Sequence, residues 1–270
     1  MTEPGVKPAS FAVVAGAPES PVIVHVPHSS TTIPQEVRST LQLDDGALAE
    51  ELLAMTDART DEIASAAASA APQRPWMFVN RLSRLVVDPE RFPDEREEMA
   101  AVGMGAVYTR TSGGEVLRSI GDEDTSELVR RYFDPYSVAL ADLIDERVEA
   151  TGRAVLIDLH SYPQRALPYE LHHEARRRAV CIGTDPLHTP AELAEAAQLA
   201  FAEVGAVAIN EPFIGTYVPL RHYGTRLEVS SVMVEIRRDV YLRDGELRRD
   251  GFDSVVAGVL SLLRWTARAA

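Results

Sequence analysis

Two apolar runs constrain this chain more than anything else in it. Pro21-Val22-Ile23-Val24-His25-Val26 delivers Pro27-His28-Ser29-Ser30, and Ala154-Val155-Leu156-Ile157-Asp158-Leu159 delivers His160-Ser161. Each run is short, apolar and rich in β-branched residues, which is the pattern of a buried strand. Each ends on a His-Ser pair. Ligands of α/β proteins bind at the carboxyl ends of parallel strands, so two imidazoles placed there can meet in space although they are far apart in sequence. That is how a catalytic zinc site begins.

Further strand-like runs occupy 76–79, 84–88, 179–183, 206–209 and 229–237, and helical patterns alternate with them. Leu48, Leu52 and Met55 fall at helical spacing, as do Leu128, Tyr132, Tyr136, Leu140 and Leu143, where Pro135 predicts a kink or split. Thr189-Pro190-Ala191-Glu192 reads as an N-cap, a first-turn proline and a capping-box acid, with Gly205 closing that helix. The segment Val255 to Leu263 is helical in pattern. Segments 93–125 and 210–228 lack a period and predict long loops, which in an enzyme usually serve as lids or specificity elements. The alternation predicts one α/β domain over residues 1–270, with 1–20 an irregular lead-in marked by Pro4, Pro8 and Pro18.

Composition narrows the function. A formal charge of −14 leaves no concentrated basic surface to replace the counterions of a polyanion, so nucleic acid is not the expected partner. No basic segment leads into an apolar core, and no stretch of apolar residues is long enough to span a bilayer, so no signal peptide or membrane partner is expected. The lone Cys181 sits in an apolar run and has no partner for an internal disulfide; the reading is a cytoplasmic protein. Neither a Gly-rich phosphate loop nor a G-x-S-x-G elbow is present.

The chemistry-bearing residues follow from this frame. A single histidine on an apolar strand is more often a satisfied core residue than a ligand, and His25, inside its strand, is read that way. His28 and His160, at strand ends, are the candidate ligands. Hydrolytic zinc commonly takes three protein ligands of mixed imidazole and carboxylate type and leaves a position for water. Thr56-Asp57-Ala58-Arg59-Thr60-Asp61 predicts two aspartates at i and i+4 on one helix face, where like charges repel unless a cation or donor lies between them, or else a solvated face. Asp57, after the apolar Met55, is the preferred ligand; Asp61 is the alternative, or a residue that orients an imidazole. Arg81, Arg84 and Arg91 flank a run ending in Asp88, and a guanidinium can grip a carboxylate through two parallel hydrogen bonds. The run therefore suggests a small anionic substrate, or else an internal salt bridge between Arg84 and Asp88. Glu235, an acid within Val232-Met233-Val234-Glu235-Ile236, reads as a buried carboxylate with a raised pKa, suited to act as a general base; by strand alternation Arg237, not Arg238, shares its side.

These segments together resemble the N-formylglutamate amidohydrolase family, whose members hydrolyse N-formyl-L-glutamate to glutamate and formate in histidine breakdown. The resemblance covers most of the chain and rests on HVPHSS at 25–30, TDARTDE at 56–62, SRLVVDPERF at 83–92, DLHSYP at 158–163, CIGTD at 181–185 and VMVEIRRDVYL at 232–242. It implies a zinc-carboxypeptidase-like fold, a mixed, mostly parallel central sheet flanked by helices. It implies one zinc ion held by His28, Asp57 and His160, with Glu235 as the base and Arg81 or Arg84, backed by Arg91, on substrate carboxylates. The chain departs from the family pattern at Asp134-Pro135-Tyr136-Ser137, where relatives often carry histidine after the tyrosine, and the 103–118 loop is variable. Two other functions fit the same residues: a related zinc amidohydrolase acting on another N-acyl amino acid or small peptide, and a non-catalytic binder of acidic metabolites. Oligomeric state is not encoded in any motif.

Overall fold

The computed structural model describes residues 10–171 and 173–268. Seven strands form one sheet: β1 (Phe11–Val14), β2 (Val22–Val26), β3 (Trp76–Asn80), β4 (Ala154–Tyr162), β5 (Val180–Gly183), β6 (Val207–Ile209) and β7 (Val229–Arg237), in the spatial order β1-β3-β2-β4-β7-β5-β6. The four central strands run parallel; β1 pairs antiparallel with β3, and β5 antiparallel with β7. The helices are α1 (Gln35–Arg38), α2 (Asp45–Met55), α3 (Thr60–Ala70), α4 (Asp122–Leu128), α5 (Asp134–Thr151), α6 (Ala191–Ala200) and α7 (Arg249–Arg268). The mixed, mostly parallel α/β domain expected from the sequence is therefore present.

Alternation along the strands decides what each face carries. Val22, Val24 and Val26 of β2, Val155, Ile157 and Leu159 of β4, and Val232, Val234 and Ile236 of β7 enter one core with Ile63 of α3, Leu193 of α6 and Val255, Val259 and Leu262 of α7. The intervening residues face the other way, where Ile23, Phe78, Ala154, Leu156 and Val229 pack on Tyr136, Leu140 and Ile144 of α5. On that second face the carboxyl halves turn polar: His25, Asp158, His160 and Glu235 replace aliphatic residues there. The chain passes from β2 outward to β3 on one side, and β4 leads to β7 on the other. The switch point thus falls between β2 and β4, where ligands of open α/β sheets bind.

Several local expectations are corrected. Residues 84–88 form no strand: Val86 N–H donates to Ser83 O at 2.9 Å, and the i,i+4 pair Arg84–Asp88 closes the turn at 2.6 Å, so Leu85, Val86 and Val87 are buried beneath loops instead. Part of the expected irregular lead-in is β1, while Pro4 and Pro8 lie outside the described residues. The helix after Thr189 begins at Ala191 without a side-chain cap, because Thr189 Oγ1 is engaged with Ser231 O at 2.6 Å and Asp185 N at 2.9 Å, and it ends at Ala200 rather than near Gly205. Near Pro135 the expected split takes the form of a π-helical stretch, Val129–Phe133, joining α4 to α5. A proline donates no N–H to the preceding turn, so the hydrogen-bond ladder changes register there.

None of the described helices is long and apolar enough to cross a membrane. Ile157 is fully buried at the centre of the sheet, whereas Leu199 on α6 is 76% exposed. Ile157→Ala is expected to lower the unfolding free energy by about 2–5 kcal/mol in denaturant melts, and Leu199→Ala to change it by no more than about 0.5 kcal/mol.

Candidate active site

The polar side chains of the second face gather at the carboxyl ends of β2, β4 and β7. His28 follows β2 by one turn, His160 lies near the end of β4, and Glu235 is the direct register partner of His160 on β7. Asp57 comes from the connection between α2 and α3, where its backbone N–H donates to His28 O at 2.9 Å. Thr60 Oγ1 caps the same turn by donating to Asp57 O at 2.9 Å. Arg238 pins it from outside, donating to Ala54 O at 2.7 Å and standing 3.4 Å from Asp57 Oδ1.

The ligand-capable atoms converge. His28 Nδ1 lies 3.3 Å from His160 Nδ1, and Asp57 Oδ2 lies 3.1 Å from His160 Nδ1 and 3.6 Å from His28 Nδ1, with all three residues buried. Two imidazole nitrogens bonded to one tetrahedral zinc at about 2.0–2.1 Å stand about 3.3–3.4 Å apart. The spacing and the donor set therefore fit a single divalent ion. Behind the cluster, His28 Nε2 meets Asp88 Oδ1 at 3.0 Å. His160 Nε2 lies 3.0 Å from Asp158 Oδ1 and 3.3 Å from Glu90 Oε2, in contact with both and aligned for a hydrogen bond with neither. Carboxylates at the rear of metal-binding imidazoles fix the tautomer that leaves the front nitrogen free to ligate.

Electrostatics follow from burial and these contacts. Burial alone would lower both imidazoles, yet Asp88 and Asp57 raise His28, and Asp158 and Glu90 hold His160 well above the ordinary range. Burial would likewise raise Asp57, but hydrogen bonds from His160 and His28 hold its carboxyl well below the usual range. Protons thus stand where a cation fits. Glu235 differs: burial pushes it up to about 7, His160 opposes the shift, and its Oε2 is shielded from solvent without a hydrogen-bond partner among the described residues. A cleft of about 650 Å³ opens over these groups, lined among others by Arg84, Arg91, Tyr169, Ile214 and Arg238.

A family model described as N-formylglutamate amidohydrolase matches residues 20–242. The chain belongs to the N-formylglutamate amidohydrolase family. As a member it is a hydrolase acting on an amide bond. The crystal structure of an N-formylglutamate amidohydrolase from Ralstonia eutropha JMP134 superposes with a TM-score of 0.80 at 20% identity, covering 97% of this chain and 100% of that one. A gene product of Agrobacterium tumefaciens superposes with a TM-score of 0.68 at 22% identity, covering 96% of this chain and 95% of that one. At such identities the likeness establishes the fold. A search of the curated proteins gives no match.

Within this family framework the individual expectations separate. The structure brings His28, Asp57 and His160 together, with Glu235 in register with His160. Asp61 does not join them: α2 ends at Met55 and α3 begins only at Thr60, so Asp57 sits on a turn and the two aspartates do not share one helix face. Arg81 is exposed and lies outside the cleft, its backbone N–H bonded to Ser10 O. Arg84 lines the cleft but is engaged by Asp88 at 2.6 Å and Tyr108 at 2.9 Å, which is the internal salt-bridge reading of that pair. Arg91 lines the cleft and is held more loosely, 3.7 Å from Asp88 and 3.5 Å from Glu97. His25 is satisfied between Asp158 at 2.9 Å and Tyr136 at 2.5 Å.

Arg237 and Arg238 exchange the expected places. The strand ends at Arg237 and passes into a 3₁₀ turn, Arg238–Val240, which breaks the alternation; Arg238 enters the cleft, and Arg237 turns to Asp239 and to the Arg177 carbonyl. The sequence reading gave no place in the site to Glu90, Asp158 or Arg238, and named Asp88 only as a partner of Arg84. Asp158 carried a usable signal, since it is two residues before His160 on the same strand face.

Two outcomes test the site. A histidine whose folded pKa is raised contributes stability that is complete below its unfolded value near 6.5 and is lost as pH rises through the folded value. The melting temperature of chelator-treated protein is therefore expected to fall as pH rises from about 6.5, with the loss removed by added zinc. Asp88→Asn is expected to weaken zinc affinity by about 10–100-fold in chelator competition, because His28 loses its ionised partner.

Proposed function

We propose that the protein hydrolyses N-formyl-L-glutamate to L-glutamate and formate with one divalent metal ion, zinc by the donor set, held by His28, Asp57 and His160. The observation that carries the reading is the convergence of two imidazole nitrogens and one carboxylate beside half-buried Glu235, whose shielded Oε2 has no hydrogen-bond partner among the described residues. An ion at that position supplies Lewis acidity to a water and to the amide carbonyl.

The chain's own groups supply the rest. Glu235, in register with His160 and with no hydrogen-bond partner for its Oε2 among the described residues, takes the proton of the attacking water and returns it to the departing amine. Its desolvation makes it a stronger base than an exposed carboxylate. Arg91, which lines the cleft and makes only long ion-pair contacts to Asp88 and Glu97, receives a substrate carboxylate. Arg84 acts through Asp88, holding the carboxylate that orients His28. Nothing in this sequence of steps needs a serine nucleophile, and no covalent intermediate is invoked.

Formate release from N-formyl-L-glutamate is expected from the purified protein, lost after chelation and regained with zinc. Glu235→Gln is expected to lower kcat by at least about a hundredfold while zinc content stays at one ion per chain, in line with the usual contribution of a general base. Zinc-replete protein that releases no formate overturns the reading and leaves either a related amidohydrolase acting on another N-acyl amino acid or a binder of acidic metabolites. Arg91→Gln is expected to raise KM about tenfold or more with a smaller change in kcat, since it removes a charge-assisted contact made in ground and transition states alike.

A further inference from the structure

The two sides of the cleft differ in chemistry. On the side of His28 stand the guanidinium groups of Arg84 and Arg91, tied to the metal-ligand cluster through Asp88. On the side of Glu235 the lining combines the guanidinium of Arg238 with the apolar residues Met233, Phe213 and Ile214. Cys181, the register partner of Glu235 on β5, donates from Sγ to Phe213 O at 3.4 Å, which places the 213–217 segment directly beside the reactive carboxylate.

That segment is held firmly. Thr216 Oγ1 and Ser231 Oγ share a hydrogen bond of 2.7 Å, Tyr217 N–H donates to Asp158 Oδ2 at 3.3 Å, and the Tyr217 ring stacks on His25 at 5.3 Å. Its approach to β5 requires glycine, since a Cβ at Gly183 would stand 2.1 Å from Gly215 O. Between these anchors Ile214 projects into the cleft with 70% of its surface exposed. Arg177 pairs with Glu170 at 2.5 Å and lies over the Phe213 and Tyr162 rings, which ties the chain next to Leu171 to the same wall, and Leu171, 55% exposed, also lines the cleft. Here two exposed aliphatic side chains line a cleft next to the reactive carboxylate on a segment held by part-buried hydrogen bonds, which makes them available to a ligand.

Size points the same way. The cleft holds about 650 Å³, a volume typical of sites that enclose drug-sized ligands, whereas N-formyl-L-glutamate has only about a dozen non-hydrogen atoms. A formyl group leaves the apolar wall uncovered. An amide laid across the metal-ligand cluster, with its carboxylates toward Arg91, directs its acyl group at Phe213, Ile214 and Leu171.

We propose that the enzyme also hydrolyses N-acyl-L-glutamates with short aliphatic acyl chains, the chain lying against Phe213, Ile214 and Leu171. This rests on the amidohydrolase reading above. Water adds to the acyl carbon, the C–N bond breaks, and the products are the free carboxylic acid and L-glutamate. The test measures glutamate release by the zinc-loaded protein from the formyl, acetyl, butyryl and hexanoyl derivatives of L-glutamate. Burial of a methylene is worth roughly threefold to fourfold, so kcat/KM is expected to rise at least tenfold from acetyl to hexanoyl. Ile214→Ser and Leu171→Ser, each checked for an unchanged circular dichroism spectrum, are expected to lower the hexanoyl-to-formyl ratio of kcat/KM at least fivefold.

Turnover of the formyl compound with hexanoyl at least a hundredfold slower overturns this inference and leaves the deformylase reading intact. Turnover of the longer acyl compounds without formate release supports the inference and removes N-formyl-L-glutamate as the substrate. Absence of glutamate release from every compound overturns both. A hexanoyl-to-formyl ratio unmoved by either serine substitution also overturns the assignment of the chain to this wall.

Discussion

The site depends on the parallel pairing of β2 with β4. Their register sets His25 opposite Asp158, and from that one alignment the rest of the cluster follows. Two residues beyond Asp158, His160 faces the same side; three residues beyond His25, after Pro27 has ended the strand, His28 swings over to meet it. A register slip of one residue would send Asp158 and His160 into the aliphatic core against α3 and α7, where two buried polar groups would have no partners. The apolar alternation on the opposite face, Val22, Val24 and Val26 against Val155, Ile157 and Leu159, makes that slip costly. Core packing on one face therefore fixes the geometry of chemistry on the other.

Asp57 shows how the third member is held without belonging to the sheet. Its backbone bonds to His28 O, its following turn is capped by Thr60, and Arg238 reaches from the end of β7 to the last carbonyls of α2 and to Asp57 itself. Tyr241 OH adds a hydrogen bond to Ala58 O at 2.8 Å. Strand β7 thus contributes twice: Glu235 faces the cluster, and Arg238, three residues on, braces the turn opposite it. The distance between base and ligand set is maintained through one continuous piece of backbone.

How much of this was legible in the sequence depends on how local the determining interaction is. The strands that lead to His28 and carry His160 and Glu235 were legible because burial on both faces makes them near-continuous apolar runs of five to nine residues. Residues 84–88 carried the same apolar signal for a different reason: Leu85, Val86 and Val87 are buried under the loop roof, and hydrophobicity reports burial and not strand pairing. Thr189 carried a cap signature, but its hydroxyl is used by Ser231, a tertiary partner that local pattern cannot reveal. Asp57 was chosen over Asp61 on its neighbour Met55, and the helix break that separates the two is set by Arg59, whose left-handed φ of 65° starts α3 afresh.

Charge balance explains why so many acids gather in one buried place. Asp57, Asp88, Glu90 and Asp158 crowd around two imidazoles, and Glu235 stands beside them. Buried carboxylates at this density persist only if cations or protons neutralise them. Arg84 and Arg238 supply fixed positive charge at the edges, and in the absence of an ion the raised imidazoles supply it at the centre by holding protons. Exchange of those protons for a divalent ion keeps the balance while freeing both Nδ1 lone pairs for ligation. Glu90 lies within 3.7 Å of His25, His28 and His160 and is spent on their charge, whereas Glu235 Oε2 has no hydrogen-bond partner among the described residues; Glu235 is therefore the acid placed to move a proton.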